Sequence, residues 1–480
     1  MDADVVACTA CDARERELAG VRAQLDQAQA RIDELEAGTQ RLAEDLDQAQ
    51  KRLEGARRAG KRQAAPFSRD AKKPDPKRPG RKAGKDYGPR ARRQVPAPDE
   101  IDEIIVVDLP GRCECGGEVA HDKTAHQYQE DFVPARRVVR RFDVKLGHCT
   151  SCDQRVRGRH RLQTSDALGA AGVMLGPAAH ALAAWLHLGL GVSMRKVTDI
   201  LGRLCGLEVT PGGLHTALHT TAKDAKQTFE VLLECLRDSE AVAADETGWR
   251  IDAERAWLWV YVGDRVCVYD IAAGRGYADA AAVLGGEFPG VLERDGWAPY
   301  RKFVEATHQT CLAHLLRRCQ EMIEDAKAGQ AKVPHDLRRI LKRALAARDN
   351  RLEGEVLQKE VVALQAEIER FCARQPTYAP NRRLVTHITN EADHLLTFLT
   401  HDGVQATNWR AEQALRPMIV NRKSWGGNKT RRGADSAAVI ASVMRTAQLN
   451  NLDPIDTLAQ LRTTGTVPAE LAAALAGPDP

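Results

Sequence analysis

The sequence predicts an α/β multidomain fold, and three observations support this prediction. Its 480 residues exceed what one hydrophobic core usually organises, so roughly three folded units are expected. Short β-branched and aromatic runs cluster in residues 236–300, whereas helical periodicity dominates on both sides of that range. The 12 cysteines include three close pairs, which in a cytosolic protein favour metal binding over disulfides.

The predicted sheet lies between two aspartates. Asp245 ends the apolar run AVAAD, and Asp295 ends GVLERD. Between them, WLWVYVG (257–263) and VCVYDIA (266–272) are β-branched and aromatic runs that predict a hairpin, followed by a short helical piece. A strand with an acid, two strands, a helix and a second strand with an acid is the order of a ribonuclease-H-like core. In such a core the carboxylates converge at one end of the sheet.

A third acid, Glu412, lies in the helical stretch NWRAEQALRP, which Pro417 is expected to end. Asn408, Glu412 and Arg416 are spaced i, i+4, i+8 and share one helix face. Carboxylate oxygens are hard ligands, so two aspartates and this glutamate could hold two Mg²⁺ or Mn²⁺ ions for phosphoryl transfer. A single acid at a strand end is more often a turn former or a solvated charge. The three acids are therefore informative only together.

Several motifs carry a resemblance that covers most of the chain. They are DETGW around Asp245, DGWAPY around Asp295, CLAHLLRR, and NWRAEQALRP followed by NRKSWGG. With KRQAAPFSR, RPGRKAGKDYG and a cysteine cluster before them, this ordered set resembles the insertion sequence 66 family of DDE transposases. The resemblance implies a ribonuclease-H-like catalytic core with Asp245, Asp295 and Glu412 as catalytic residues and ligands of two Mg²⁺ (or Mn²⁺) ions.

The function implied by this resemblance is that of a DNA transposase. Such an enzyme cuts double-stranded DNA at the element ends and joins the freed 3′-hydroxyl to target DNA. Two alternatives stay open: a noncatalytic zinc-containing DNA-binding regulator, and a ribonuclease-H-like nuclease that cuts without strand transfer. The regulator does not need three acids, and strand-transfer products would separate the two enzymes.

The N-terminal residues 1–56 are predicted to form a coiled coil. Apolar residues recur with a 3.5-residue period from Leu18 to Leu53, over five heptads. Thr39 at a seam position, together with Gly38, weakens the seam. We therefore expect a homodimer or higher oligomer of modest affinity, with a helix packed on its own chain as the alternative.

Residues 57–96 are predicted to be a disordered basic linker. From Arg57 to Arg93 there are 15 Lys/Arg and three Asp, a net charge of +12, interrupted by proline and glycine. A solvated tail is the plain alternative. We favour sequence-independent contact with DNA phosphates, in which Pro79-Gly80-Arg81 can lie in a minor groove; Arg81 and Lys82 are the predicted DNA-binding residues.

Residues 97–162 are predicted to form a zinc-binding unit. Two close pairs, Cys113/Cys115 and Cys149/Cys152, could close one tetrahedral structural Zn²⁺ site. The resembled family usually has two residues inside the first pair, whereas this chain has one. His121 and His148 are therefore possible substitutes for a cysteine ligand.

The remaining chain is assigned by its periodicity. Residues 163–235 predict a helical, helix-turn-helix-like region whose third helix would present Gly212, Gly213, His215 and Thr216 to DNA; a bundle that packs on the core is equally open. The predicted catalytic core comprises residues 236–300 and 406–450, separated by a helical insertion (301–405) and followed by a helical tail (451–480). The spacing of His308, Cys311 and His314 suggests a structural role more than a metal site.

Beyond the acids, further residues are predicted to contact DNA. The segment NRKSWGG supplies two cations, an aromatic ring and glycines, a set suited to holding a DNA end. With the helix before it, the predicted DNA-binding residues are Asn408, Arg416, Arg422, Lys423 and Trp425. No run of 18 apolar residues and no signal peptide is present, so we expect a cytoplasmic, nucleoid-associated protein with no membrane partner.

Overall fold

The structure is a computed structural model that describes residues 95–110, 112, 114–115, 117–129, 137–168, 174–327 and 329–477, with isolated positions from 20 to 38. Contacts divide the chain into two units, Met1–Glu130 and Asp131–Pro480. Most of the predicted coiled coil, almost all of the basic linker with Arg81 and Lys82, and Cys113 lie outside the described residues. Leu25 and Leu35, two described positions of the predicted seam, are helical and exposed in the single chain. The coiled coil therefore stays a prediction.

The described part of the first unit has little regular structure. It contains a 3₁₀ turn at Pro98–Glu100 and an isolated β-bridge between Arg112 and Glu118. Cys115 lies in the turn that this bridge encloses and is exposed.

In the second unit, the described strands are β1 (Leu146–His148), β2 (Arg155–Arg157), β3 (Ala241–Ile251), β4 (Glu254–Val262), β5 (Cys267–Ala272), β6 (Val291–Arg294) and β7 (Thr307–Thr310). The α-helices before the central sheet are α1 (Pro177–Ala184), α2 (Met194–Cys205), α3 (Pro211–Asp224) and α4 (Lys226–Arg237). Those within and after it are α5 (Tyr277–Leu284), α6 (Leu312–Asp325), α7 (Lys332–Asp349), α8 (Gly354–Cys372), α9 (Ala379–Thr389), α10 (Trp409–Trp425), α11 (Arg431–Leu449), α12 (Pro454–Thr464) and α13 (Ala469–Ala476). None of the described helices is long and apolar enough to cross a membrane.

The central sheet has the strand order β5-β4-β3-β6-β7. Strands β3, β4 and β5 pair antiparallel, whereas β6 lies parallel to β3 and β7 lies parallel to β6. The β3–β4 turn is formed by Asp252 and Ala253, whose φ angles of 48° and 67° suit the tight hairpin. This mixed sheet, with helices on both faces, is consistent with the ribonuclease-H-like core that the sequence predicted.

Two details of the sheet differ from the sequence prediction. Strand β3 continues for six residues beyond Asp245, because its pairing with β4 extends to Ile251↔Glu254. The sheet also has the strand β7, which falls inside the 301–405 range predicted as helical. Its sequence THQT has no apolar alternation. The strand is stabilised instead by the later part of the insertion, where Thr397 Oγ1 donates a hydrogen bond to His308 O at 2.6 Å.

The two faces of the sheet pack against different helices because side chains alternate along each strand. On β4, Trp259 and Tyr261 join a core formed with the N-terminal helices and α11. Leu258 and Val260 point to the opposite face and pack with α10 and α11. A third core lies within the insertion, where α6–α9 pack together.

Helix α10 is longer than predicted. Pro417 was expected to end it, but the helix runs on to Trp425 with the proline inside. Proline lacks a hydrogen-bond donor and its ring crowds the carbonyl of Gln413, but its φ is compatible with a helix, so burial of the face can hold the helix together. That face includes Ala414 and Met418, which are 1% exposed.

The helical region 163–235 also contains the predicted helices. Thr210 caps α3 by accepting a hydrogen bond from Gly213 N at 3.1 Å, and Pro211 occupies the first helical position. Helix α3 packs against α11 of the core, where His219 Nδ1 lies 2.8 Å from Ser436 Oγ. The positions predicted to read DNA remain exposed on α3, so packing on the core and DNA contact are compatible.

Candidate active site

The sheet brings the two aspartates to matching positions on neighbouring parallel strands. The last paired residues of β3 and β6 are Ala243 and Glu293. Asp245 and Asp295 each follow two residues later, where the β6 pairing has ended and both side chains are partly exposed. Paired strands lie about 4.8 Å apart, so these carboxylates occupy adjacent places at one end of the sheet.

The helix that carries Glu412 is attached directly to this end of the sheet. Asn408, at the start of α10, donates from Nδ2 to the carbonyl oxygen of Ala244 at 2.7 Å. Its backbone N–H lies 3.2 Å from the sulfur of Cys311, whose own N–H donates to Arg294 O at 2.9 Å. Glu412 follows in the first turn of α10, so its position depends on the residues just before each aspartate.

His314 is a further neighbour of this group that was not among the predicted site residues. Its Nε2 lies 3.5 Å from Glu412 Oε1. The Cys311 thiol and the Glu412 carboxylate raise the pKa of His314 above its usual value, despite the opposing effect of burial. The three-residue spacing of Cys311 and His314 was the available signal. The chain passes there from β7 into α6, which favoured a structural role for both residues over a shared site.

Asp245 is electrostatically unusual. Burial, the neighbouring Glu246 and then Asp295 raise its pKa to about 7, although the Glu246 backbone N–H donates to Asp245 Oδ1 at 2.8 Å. Repulsion from these two neighbouring carboxylates therefore disfavours ionisation of Asp245. A bound cation would relieve this repulsion.

Glu246 is held behind the aspartates by a set of buried contacts. Tyr300 donates its hydroxyl to Glu246 Oε2, and Arg275 Nε donates to Oε1, both at 2.6 Å. The Arg275 guanidinium lies over the rings of Trp257 (4.8 Å) and Trp297 (4.1 Å). Glu246 therefore joins β3 to the loop that follows Asp295.

The three acids fit a hard divalent cation by chemistry, but they do not form a closed cluster. Within the residues that the structure describes, no group of three His, Cys, Asp or Glu side chains is placed to hold a metal ion. Their donor atoms are nonetheless carboxylate oxygens, the preferred ligands of Mg²⁺ and Mn²⁺.

The residues predicted to contact DNA differ in accessibility. Arg416 and Lys423 are exposed on α10. Asn408 is 1% exposed and its amide donates to β3, so a DNA contact would require that bond to open. Arg422 donates to the carbonyl oxygen of Gly248, also in β3. Trp425 is half-buried and stacks on the ring of another residue, His187, at 4.7 Å.

The second cysteine pair lies in the turn between β1 and β2. Cys149 N donates to Gln154 O at 2.8 Å, and Asp153 adopts φ 55° inside the turn. Backbone N–H groups of Ser151 and Cys152 lower the pKa of the Cys149 thiol, which favours the thiolate that a metal requires. Cys152 is exposed. The pair has the shape of a knuckle, and the zinc site stays a prediction.

Comparisons with known proteins agree with the motifs. The family model described as "Transposase IS66 family" matches residues 172–436, a range that includes all three acids. The uncharacterized protein y4qI of Sinorhizobium fredii (strain NBRC 101917 / NGR234) is 25% identical over 291 residues, which cover 54% of this chain and 54% of y4qI. The uncharacterized protein y4hP of the same strain is 24% identical over 410 residues, 75% of this chain and 71% of y4hP.

The match to y4qI covers only part of each chain. The matched part of this chain spans about half the length of y4qI. The family model covers more than half of this chain and includes both the sheet and α10. The chain belongs to the IS66 transposase family.

Proposed function

We propose that this protein is a DNA transposase that cuts at the ends of an insertion sequence and joins the freed 3′-hydroxyl to target DNA. The observation that carries the proposal is the convergence of Asp245 and Asp295 on adjacent strand positions, with the Glu412 helix fastened to Ala244. No side-chain base is needed for such chemistry if divalent ions are bound.

The acids would act as the ligands of two Mg²⁺ or Mn²⁺ ions. When bound, these ions supply activation of the attacking water or hydroxyl and neutralise charge on the phosphate. Asp245 offers a carboxylate already destabilised by its neighbours, and Asp295 orients its own through Oδ1, which accepts from Trp297 N at 2.8 Å. Glu412, in the first turn of α10, would complete the ligand set.

The residues around the acids would position substrate and ligands. The exposed guanidinium of Arg416 lies one helical turn beyond Glu412, and a guanidinium can hold a phosphate in a forked contact. Exposed Lys423 adds a cation further along the same helix. Asn408 and Arg422 would act by holding α10 against β3, which keeps Glu412 in reach of the aspartates.

The N-terminal part would bind DNA and bring two ends together. We propose one structural Zn²⁺ held by Cys113, Cys115, Cys149 and Cys152. The basic linker would add sequence-independent contact with phosphates, and the coiled coil would pair two chains. The substrates are therefore double-stranded element ends and a target duplex, handled by a dimer or larger assembly.

The test is incubation of the full-length protein with Mg²⁺ and DNA carrying the ends of its own element, followed by mapping of cut and joined products. Asp245→Asn, Asp295→Asn and Glu412→Gln should each abolish both products while DNA binding remains. Asp252→Asn is a matched control, since it makes the same change in an exposed turn residue of the same hairpin.

The outcomes distinguish the candidate functions. Cut DNA without joined DNA would identify a nuclease, and end binding without any cutting would identify a regulator. Full activity in any one of the three acid variants would remove that residue from the site. Equal loss of activity in Asp252→Asn would show that the assay reports general damage to the hairpin.

A further inference from the structure

A cavity of about 400 Å³ lies between the N-terminal helices and the segment that joins α10 to α11. Its walls are mostly apolar, with Leu218 on one side and Ala437 on the other. Exposed His215 and Lys429 lie at its edge, so the space can be reached from solvent. This volume is in the range of small-ligand pockets, about 300–1,000 Å³.

The aromatic wall of the cavity is formed by Trp425. Its ring stacks on His187 with centroids 4.7 Å apart and meets Trp249 edge-on at 5.8 Å. The two contacts fix the orientation of the indole. Its buried Nε1 has no hydrogen-bond partner among the described residues.

Positive charge is concentrated at the edge of the same cavity. Lys429, which lines the cavity, precedes the N-cap residue of α11, a helix of 19 residues, and Arg432 lies in its first turn; both side chains are exposed. The N-terminal end of a helix carries partial positive charge and attracts phosphate. Arg432 also lies near enough to His219, which lines the cavity, to lower the pKa of that histidine together with burial.

We propose that this cavity takes one unpaired nucleobase of the element-end DNA, with the adjoining phosphate held by Lys429 and the start of α11. The inference rests on the proposed function, because it needs DNA at α10. An aromatic base matches apolar walls and a fixed indole ring, and an anionic backbone matches the charged edge. A nucleobase with its adjoining phosphate therefore matches both features of the cavity.

The position of the base follows from the helix. Glu412 and Trp425 lie on the same helix α10, 13 residues apart. At about 1.5 Å per residue they are separated by about 20 Å along the axis. One strand of B-DNA rises about 3.4 Å per nucleotide. The unpaired base should therefore lie within about six nucleotides of the phosphate that is cut.

The experiment is an abasic scan of the element end. In a series of duplexes, a single abasic nucleoside replaces each of about ten positions counted from the cut phosphate, which covers the distance calculated from the helix. Fluorescence anisotropy at constant salt gives the Kd of the full-length protein for each duplex. Trp425→Leu removes the ring, whereas Ala437→Phe fills the cavity and leaves residue Trp425 unchanged. Trp409→Leu is the control, because it makes the same change at an exposed position on α10.

On intact DNA, Trp425→Leu and Ala437→Phe should raise Kd by about 5- to 150-fold, the loss expected for one base–aromatic stack. At one abasic position both variants should bind as tightly as the unmodified protein. Trp409→Leu should show no dependence on position. Should Trp425→Leu fail to fold by circular dichroism, the Ala437→Phe series decides alone.

An equal loss on every duplex, or no loss at all, would overturn the proposal and leave Trp425 a packing residue. Cleavage of intact ends by the unmodified protein, measured in the same preparation, distinguishes failure of the base pocket from failure of the proposed function. If cleavage occurs without a special abasic position, only the base pocket fails. If the unmodified protein neither binds nor cuts the ends, the proposed function and the pocket both fail.

Discussion

Replacement of Asn408 with alanine tests how the glutamate helix is positioned. The side chain is 1% exposed, and its Nδ2 donates to Ala244 O at 2.7 Å. Removing it leaves a buried carbonyl without a partner, which costs about 1–3 kcal/mol. It also frees the first turn of α10, and a displacement of about 1 Å at a catalytic group can lower the rate about 100-fold.

The matched control is Asn421→Ala on the same helix. Asn421 is also 1% exposed, and its Nδ2 donates to Leu188 O at 2.6 Å. Both variants should lower the thermal unfolding midpoint by a similar amount, because each loses one buried amide–carbonyl bond. Only Asn408→Ala should lose about two orders of magnitude in the rate of the chemical step.

The assay is single-turnover cleavage of element-end DNA at saturating DNA and Mg²⁺, with Kd measured separately. A fall in rate with unchanged Kd supports a positioning role for Asn408. A weaker Kd with an unchanged rate would refute this reasoning, and would mean that Asn408 contacts DNA, as its helical spacing first suggested.

Three further predictions concern other parts of the chain. Purified protein should contain about one Zn²⁺ per chain by elemental analysis; Cys149→Ser should lose it and Cys205→Ser should keep it, whereas metal-free folded protein would exclude the site. Deleting residues 1–95 should flatten the salt dependence of DNA affinity and impair pairing of two ends more than cutting of one; unchanged slope and pairing would show that the arm is dispensable. Burial and Arg462 lower the pKa of His180 to about 4, so stability that is full above pH 6.5 should be lost as pH falls toward 4. His180→Gln should reduce the acid-induced drop in the unfolding midpoint by an amount equivalent to about 2 kcal/mol between pH 6.5 and 5, and an identical drop would contradict the assignment.

The order of strands β3 to β6 could be predicted because each of these strands carried its own local signal. β4 and β5 are continuous β-branched and aromatic runs, and the acids marked the strands that place Asp245 and Asp295. The register that makes those two aspartates neighbours could not be read from the sequence. It depends on the parallel pairing of β3 with β6, a long-range contact with no local pattern.

The parts of the site that the sequence did not predict depend on long-range packing. Strand β7 is polar in sequence, and Gln309 is buried because its side-chain oxygen accepts from Phe398 N at 2.9 Å. His314 approaches Glu412 only because α6 begins directly after β7. Pro417 predicts a helix end because proline disfavours a helix interior, whereas packing of the surrounding face keeps α10 continuous.

The insertion is physically joined to the active site. Arg294, immediately before Asp295, has a fully buried side chain that donates to Glu391, 97 residues later, and to Thr310 Oγ1 at 2.9 Å. Burial alone would raise the pKa of Glu391, but Arg294 and Thr310 outweigh it and lower the pKa. Arg301 adds a second contact to the same carboxylate at 2.8 Å.

Removing one partner from such a buried pair costs about 3–5 kcal/mol, because the other charge stays buried. The position of Asp295 therefore depends on a residue that follows α9, near the end of the insertion, as well as on β6. The chain that leads into helix α10 is held at the start of α6, because Leu312 N donates a hydrogen bond to Ala406 O at 2.9 Å. A long insertion between the second aspartate and the glutamate is thus compatible with a well-defined site, because the insertion returns to the strand end that it leaves.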